Sequence, residues 1–193
     1  MPLVKPESGR AKIEDLGSQL KVIIPTPRNI ATVFAALFLL FWLGGWFTGE
    51  IFAVKQLIKG APSKGIDAFL LFWLCGWTLG GAFVLATALW LIAGREIITI
   101  SAETIKIEIK VFNIGLSKEY AMSEAKNFRL NSSGSSSFSQ VGTMPFMTGG
   151  AIAFDYGMRT IRFARGIDEA EASSLVDKFK ERGFIKEDNK EFS

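Results

Sequence analysis

The chain of 193 residues has no histidine and one cysteine, Cys75. Without His there is no Ser-His-Asp or Cys-His catalytic pair and no imidazole metal site. One thiol can form neither an internal disulfide nor a cysteine-rich zinc site. These absences exclude most familiar hydrolase and metalloenzyme chemistries. The expectation is a protein that is not an enzyme, has no catalytic residues and holds no metal or cofactor. An excess of one charge is also missing: 22 Lys and Arg stand against 19 Asp and Glu, a net +3. From Gly94 onward 14 basic residues balance 14 acidic ones, so this half lacks the basic footprint of a nucleic-acid binder, and no nucleic-acid partner is expected.

What the chain has in surplus is apolarity. Hydrophobic residues make up 49% of it, and the mean hydropathy is +0.27. Ile30 to Gly49 is uncharged over the roughly 20 residues needed to cross a hydrocarbon core of about 30 Å. Ala68 to Gly94 is a second uncharged run, long enough to span with tilt. Core helices of soluble proteins rarely reach such lengths, so the two runs predict a transmembrane helical hairpin over 30–94. Met1 to Asn29 is too long and charged for a signal-peptide flank and reads as an N-terminal leader. Lys21, Arg28, Arg95 and Lys106 flank the terminal sides of the runs, against Lys55, Lys59 and Lys64 in the connection. That bias predicts a multi-pass protein of the bacterial inner membrane with both termini cytoplasmic. The connection, Glu50 to Asp67, interleaves Ile51, Phe52, Val54, Leu57 and Ile58 with lysines. It fits either an interfacial amphipathic helix or an extension of the first span.

The runs contain an echo. Leu40-Phe41-Trp42-Leu43-Gly44-Gly45-Trp46 recurs as Leu71-Phe72-Trp73-Leu74-Cys75-Gly76-Trp77, six of seven positions being identical. A hairpin places both copies toward the connecting loop. Gly45 and Gly49, and likewise Gly76 and Gly80, form small-xxx-small steps with Gly44 and Gly81 adjacent, and such strips let helix backbones approach in lipid. They are expected to seal the hairpin. Trp42 and Trp46, like Trp73 and Trp77, share a helix face. Either they form an interfacial aromatic belt, or with the glycines they dock other transmembrane helices or a flat apolar molecule. Cys75 reads as a small packing residue. No Asp, Glu, Lys or Arg lies inside either run, which argues against a pump or transporter.

After Gly94 the pattern changes to period-two alternation, Glu96 to Ile100 and Ile105 to Val111, joined at Ala102-Glu103. Asn113-Ile114-Gly115 supplies a turn before a strand around Leu116 to Met122. Asn127 to Leu130 is a shorter strand, and Asn131 to Gly150 reads as a long loop. Ala151 to Tyr156 and Thr160 to Ala164 form a final hairpin about Gly157, in which Asp155 and Tyr156 read as turn residues. A helix follows, with Asp168 as N-cap, Glu171 as its capping-box partner and Gly183 as terminator. Its apolar stripe is Ala172, Leu175, Val176 and Phe179. The fold class is thus an α+β membrane protein: a two-helix hairpin, then a small antiparallel roll or partial barrel over 95–185 closed by the C-terminal helix, with 186–193 as a tail.

Two runs, then GREIITIS, then IAFDYGMRTIRFARGIDEAEA, resemble uncharacterised bacterial two-span membrane proteins that carry a C-terminal pleckstrin-homology-like domain. The resemblance covers roughly Ile30 to Gly183. In architecture alone the chain is also similar to the photosystem I assembly factor of chloroplasts and cyanobacteria. These resemblances imply a binding or assembly module and no particular chemistry.

Arg159, Arg162 and Arg165 recur around the last strand, where alternation would put Arg159 and Arg165 on one face. They read either as a charged strand edge or as a contact for anionic headgroups or an acidic partner. Met144, Phe146 and Met147, around Pro145, supply an adaptable apolar loop suited to a partner or a bilayer. The functional expectation is a non-catalytic accessory subunit or assembly factor of a membrane complex. Its partners would be membrane lipids and other integral membrane proteins, or a second copy in a homo-oligomer. The alternative is a tethered module that senses headgroups or a peptide.

Overall fold

The computed structural model describes residues 9–59, 64–131 and 149–185. The chain divides into two compact units, Arg28–Ile92 and the remainder. It is α+β, with antiparallel sheets, two long apolar helices and a C-terminal helix.

The helices are α1 (Ile30–Lys59) and α2 (Lys64–Ala93). Both are long and apolar enough to cross a membrane. Their most apolar windows are only 11% and 6% buried, the opposite of a core helix in a soluble protein. Asn29 starts α1 as a side-chain cap, its Oδ1 accepting from the Thr32 backbone N–H at 2.7 Å and from the Thr32 hydroxyl at 2.7 Å. α1 continues ten residues past Gly49, so Glu50 to Lys59 extends the first helix without forming a separate interfacial one.

The other unit begins before the helices. β1 (Lys12–Asp15) and β2 (Gln19–Pro25) pair antiparallel around Gly17, which sits at φ +81°, a left-handed turn conformation that glycine adopts without steric cost. β2 then pairs with β3 (Gly94–Ser101) from Gln19↔Ser101 to Pro25↔Arg95. Within the segment expected as a leader, Lys12 to Pro25 therefore supplies two strands of the sheet. Leu20, Val22 and Ile24 alternate with the half-buried Lys21, Ile23 and Pro25 and are 3%, 0% and 2% exposed. The helical hairpin is an insertion between two adjacent strands, the chain leaving after Pro25 and returning at Gly94. The Thr26 N–H and hydroxyl both donate to the Gly94 carbonyl, closing that end of the ladder.

β4 (Thr104–Val111) and β5 (Ile114–Ala121) complete a five-stranded sheet in the order β1-β2-β3-β4-β5. The β4–β5 turn is Phe112-Asn113, one residue earlier than the sequence suggests, with Phe112 at φ +54°. β6 (Ala125–Leu130), β7 (Ile152–Tyr156) and β8 (Arg159–Phe163) form a second antiparallel sheet. The described residues thus contain eight strands, where the sequence reading found about six, the extra pair being β1 and β2.

α3 (Glu169–Glu181) packs its stripe of Ala172, Leu175, Val176 and Phe179 into the core. Phe179 belongs there to one buried cluster with side chains of both sheets, including Ile98, Ile100, Phe154 and Phe163. Burying each such aromatic or branched side chain contributes about 1.5–3 kcal/mol. Asp168 caps α3 by accepting from the Glu171 N–H at 2.7 Å, and Gly183 at φ +70° ends it. Glu171 does not complete a capping box: its carboxylate accepts the Ala11 N–H at 2.6 Å, tying the segment before β1 to α3.

Candidate functional site: the glycine and tryptophan faces of the helical hairpin

The echoed segments meet in the helical unit. Trp46 of α1 and Trp77 of α2, the closing residues of the two copies, stack at 5.6 Å with planes 5° apart; Trp73 stacks on Trp77 at 4.4 Å and 27°. Trp46 lies directly over Gly81, where any Cβ would collide with the indole, and Trp77 lies over Gly49, with 3.8 Å to a Cβ built there. The hairpin is therefore sealed by rings laid on glycines. At Gly81 the Trp46 indole fills the space the glycine leaves, while at Gly49 the Trp77 ring stands at ordinary van der Waals distance from the position of a Cβ.

The other four glycines are not used in this way. Gly44, Gly45, Gly76 and Gly80 have nothing within 4 Å of an added Cβ. Gly44 and Gly45 lie in an apolar groove with Phe38, Trp42 and Trp46, while Gly76 and Gly80 lie in a second with Phe72, Trp73 and Phe83. Trp42 and Trp73 are 43% and 38% exposed, so each copy contributes one outward tryptophan and one packed one. The packed pair departs from the belt reading, in which the indole N–H reaches headgroups: Trp77 Nε1 is buried with no hydrogen-bond partner. Cys75 is exposed and lines the second groove.

One polar contact accompanies the rings. The Thr78 hydroxyl donates to Glu50 Oε1 at 2.5 Å, joining α2 to α1. In the sequence the one signal at Glu50 is that it is the first charge after the apolar run.

In the β unit the two arginines part company. β8 ends at Phe163, and Ala164 at φ +62° breaks the alternation, so Arg159 and Arg165 do not share a strand face. Arg159 is exposed, beside Lys126 and Met158 in a shallow polar pocket. Arg165 turns inward to Glu96: its backbone N–H donates to Oε2 at 2.6 Å and its guanidinium lies 3.4 Å from Oε1. Glu96 is 1% exposed, and burial pushes its carboxyl above the usual range against the opposing pull of Arg165. Arg165 thus compensates a buried charge and does not reach outward as a headgroup contact.

Asp155 is not a turn residue either, since it lies within β7, paired with Thr160. Arg129 grips it bidentately at 2.8 and 2.9 Å, while the Thr160 hydroxyl and the Asn127 amide donate at 2.8 and 3.2 Å. The Arg129 hydrogen bonds, then those of Thr160 and Asn127, hold its carboxyl far below the usual carboxylate value. Tyr156 packs edge-on to Tyr120. Met144, Phe146 and Met147 lie outside the described residues. Among the described residues no three His, Cys, Asp or Glu side chains converge as metal ligands would.

Comparison of the chain with protein-family models, with curated proteins and with solved structures finds no match.

Proposed function

We propose that this is a non-catalytic integral membrane protein, an accessory subunit or assembly factor that docks other transmembrane helices on the glycine and tryptophan faces of α1 and α2. The observation that carries this reading is that Gly44, Gly45, Gly76 and Gly80 stand open while Gly49 and Gly81 are covered from within the hairpin. Association in lipid draws on close packing at small residues, so four unused glycines beside outward Trp42 and Trp73 suit a partner helix. The β unit, with two antiparallel sheets closed by α3, is read as a pleckstrin-homology-like binding module. A bacterial inner-membrane location with cytoplasmic termini is supported by Arg28 and Arg95 at the sheet-side helix ends. The headgroup-sensing alternative keeps Arg159 but loses Arg165 to Glu96.

The test is the composition of the particle extracted in mild detergent from source membranes, for the natural chain and for Gly45→Leu and Gly76→Leu. Apart from its own chain neighbours, neither site has an atom within 4 Å of a Cβ, so each variant puts its added bulk into an open groove. The expected result is a set of unrelated membrane subunits at fixed stoichiometry, lost in at least one variant. A particle of this chain alone, or full retention in both variants, overturns helix docking.

A further inference from the structure

The β4–β5 hairpin carries an unusual tip. Phe112, Ile114 and Leu116 are 61%, 84% and 60% exposed, where a hairpin end in a soluble domain is normally polar. They continue an apolar surface, because Ile114 is paired with Val111 and Leu116 with Ile109, both half-buried. Phe112 stands at φ +54°, a conformation that favours glycine. A bulky ring kept at such a position, exposed, contributes little to folding. Arg95 braces the turn, its guanidinium donating to the Phe112 carbonyl at 2.7 Å and to Asn113 Oδ1 at 2.9 Å. Lys118 on β5 adds an exposed cation to the half-buried Arg95.

Chain connectivity limits how far this tip can lie from the end of α2. Ala93 is the last residue of α2 and Gly94 the first of β3, with no linker between them. Gly94 is paired with Val111, the residue before Phe112. Two covalent steps of about 3.8 Å and one cross-strand step of about 5 Å keep Phe112 within roughly 13 Å of the end of α2. The apolar run of α2 continues to Ala93, and the headgroup layer beyond a hydrocarbon core is about 5–8 Å deep.

We propose that Phe112, Ile114 and Leu116 insert into the headgroup–acyl boundary of the bilayer that α1 and α2 cross, with Arg95 and Lys118 at the phosphate level. The proposal rests on the reading of α1 and α2 as membrane spans. Apolar residues beside cations that can snorkel are the composition of an interfacial anchor. The anchor supplies a contact to lipid from the sheet, separate from that of the helices.

The test uses the full chain in phosphatidylcholine–phosphatidylglycerol vesicles, with an environment-sensitive fluorophore on one thiol at a time. The thiol is native Cys75, or Ile114→Cys or Glu103→Cys in a Cys75→Ala background. Glu103 is exposed in the turn at the opposite end of β3 and β4, about 25 Å along the strands. Quenching by shallow spin-labelled lipids is expected at positions 75 and 114 and absent at 103. Adding Phe112→Gly, which suits the turn backbone better than Phe, should weaken quenching at position 114 without unfolding the hairpin. A label at 114 that is open to aqueous quenchers, or shielded from both kinds, overturns the proposal while quenching at Cys75 upholds the spans. Equal lipid quenching at 103 overturns it as well. Lack of lipid quenching at Cys75 removes the span reading and the anchor with it.

Discussion

The indole rings of Trp46 and Trp77 stack 5.6 Å apart and almost parallel, and the two residues occupy the same position in the two copies of the echoed segment. The repeat is thereby a contact: each copy offers a ring to a glycine of the other helix, Trp46 to Gly81 and Trp77 to Gly49.

Glycines of the hairpin should accordingly fall into two classes. Gly81→Leu forces the Trp46 ring aside and is expected to abolish the exciton signal of the stacked indoles in near-ultraviolet circular dichroism. Gly45→Leu should leave that signal unchanged. Equal loss in both variants would show that the open glycines also hold the hairpin together.

The β unit should fold without the helices. Joining Thr26 to Gly94 by a short glycine-rich turn replaces α1 and α2 at a point where the ladder is already closed by Pro25↔Arg95 and the Thr26–Gly94 hydrogen bonds. The resulting chain is expected to unfold cooperatively. Residues 94–185 alone, lacking β2 and its Val22, should not. Within the joined chain Leu20→Ala, which empties a site only 3% exposed, should cost about 2–5 kcal/mol by denaturant titration.

Glu96 should give stability an uncommon pH dependence. A carboxyl raised by burial binds its proton more tightly in the folded state. The stability it contributes is complete below its ordinary value of 4.5 and is lost as pH rises through the folded value. Melting temperatures of the natural chain and Glu96→Gln, compared from acid to neutral pH, should show the natural chain losing ground as pH rises. A natural chain that gains on Glu96→Gln as pH rises would mean that pairing with Arg165 outweighs desolvation.

Asp155 should behave in the opposite sense. Held below its ordinary 3.8 by Arg129, Thr160 and Asn127, it contributes stability above that value and loses it as pH falls through the lower folded value. Asp155→Asn should therefore melt below the natural chain at neutral pH, and the gap should close in strong acid. A gap independent of pH would point to lost hydrogen-bond geometry in place of charge.

What could be seen in the sequence was local. The two helices are legible in uncharged runs long enough to span a bilayer, and their lengthening to Lys59 was one of two open readings of Glu50 to Lys59. The turns at Ala102-Glu103 and Gly157, the Asp168 cap and the stripe ending at Phe179 are equally legible, since each depends on residues a few positions apart. Alternating Leu20, Val22 and Ile24 were also in plain view, but their partner strand lies beyond the whole helical hairpin, and no local pattern announces a pairing across that distance. Long separation also hid the ion pair of Arg165 with Glu96 and the hydrogen bond from the Ala11 N–H to Glu171. Both are set by which side chains the closed sheets bring together. For the glycines, sequence determined their number and spacing. Only the packing of Trp46 and Trp77 decided which of them are filled from within and which stay open, because a ring reaches a glycine of the facing helix through space that sequence spacing does not describe.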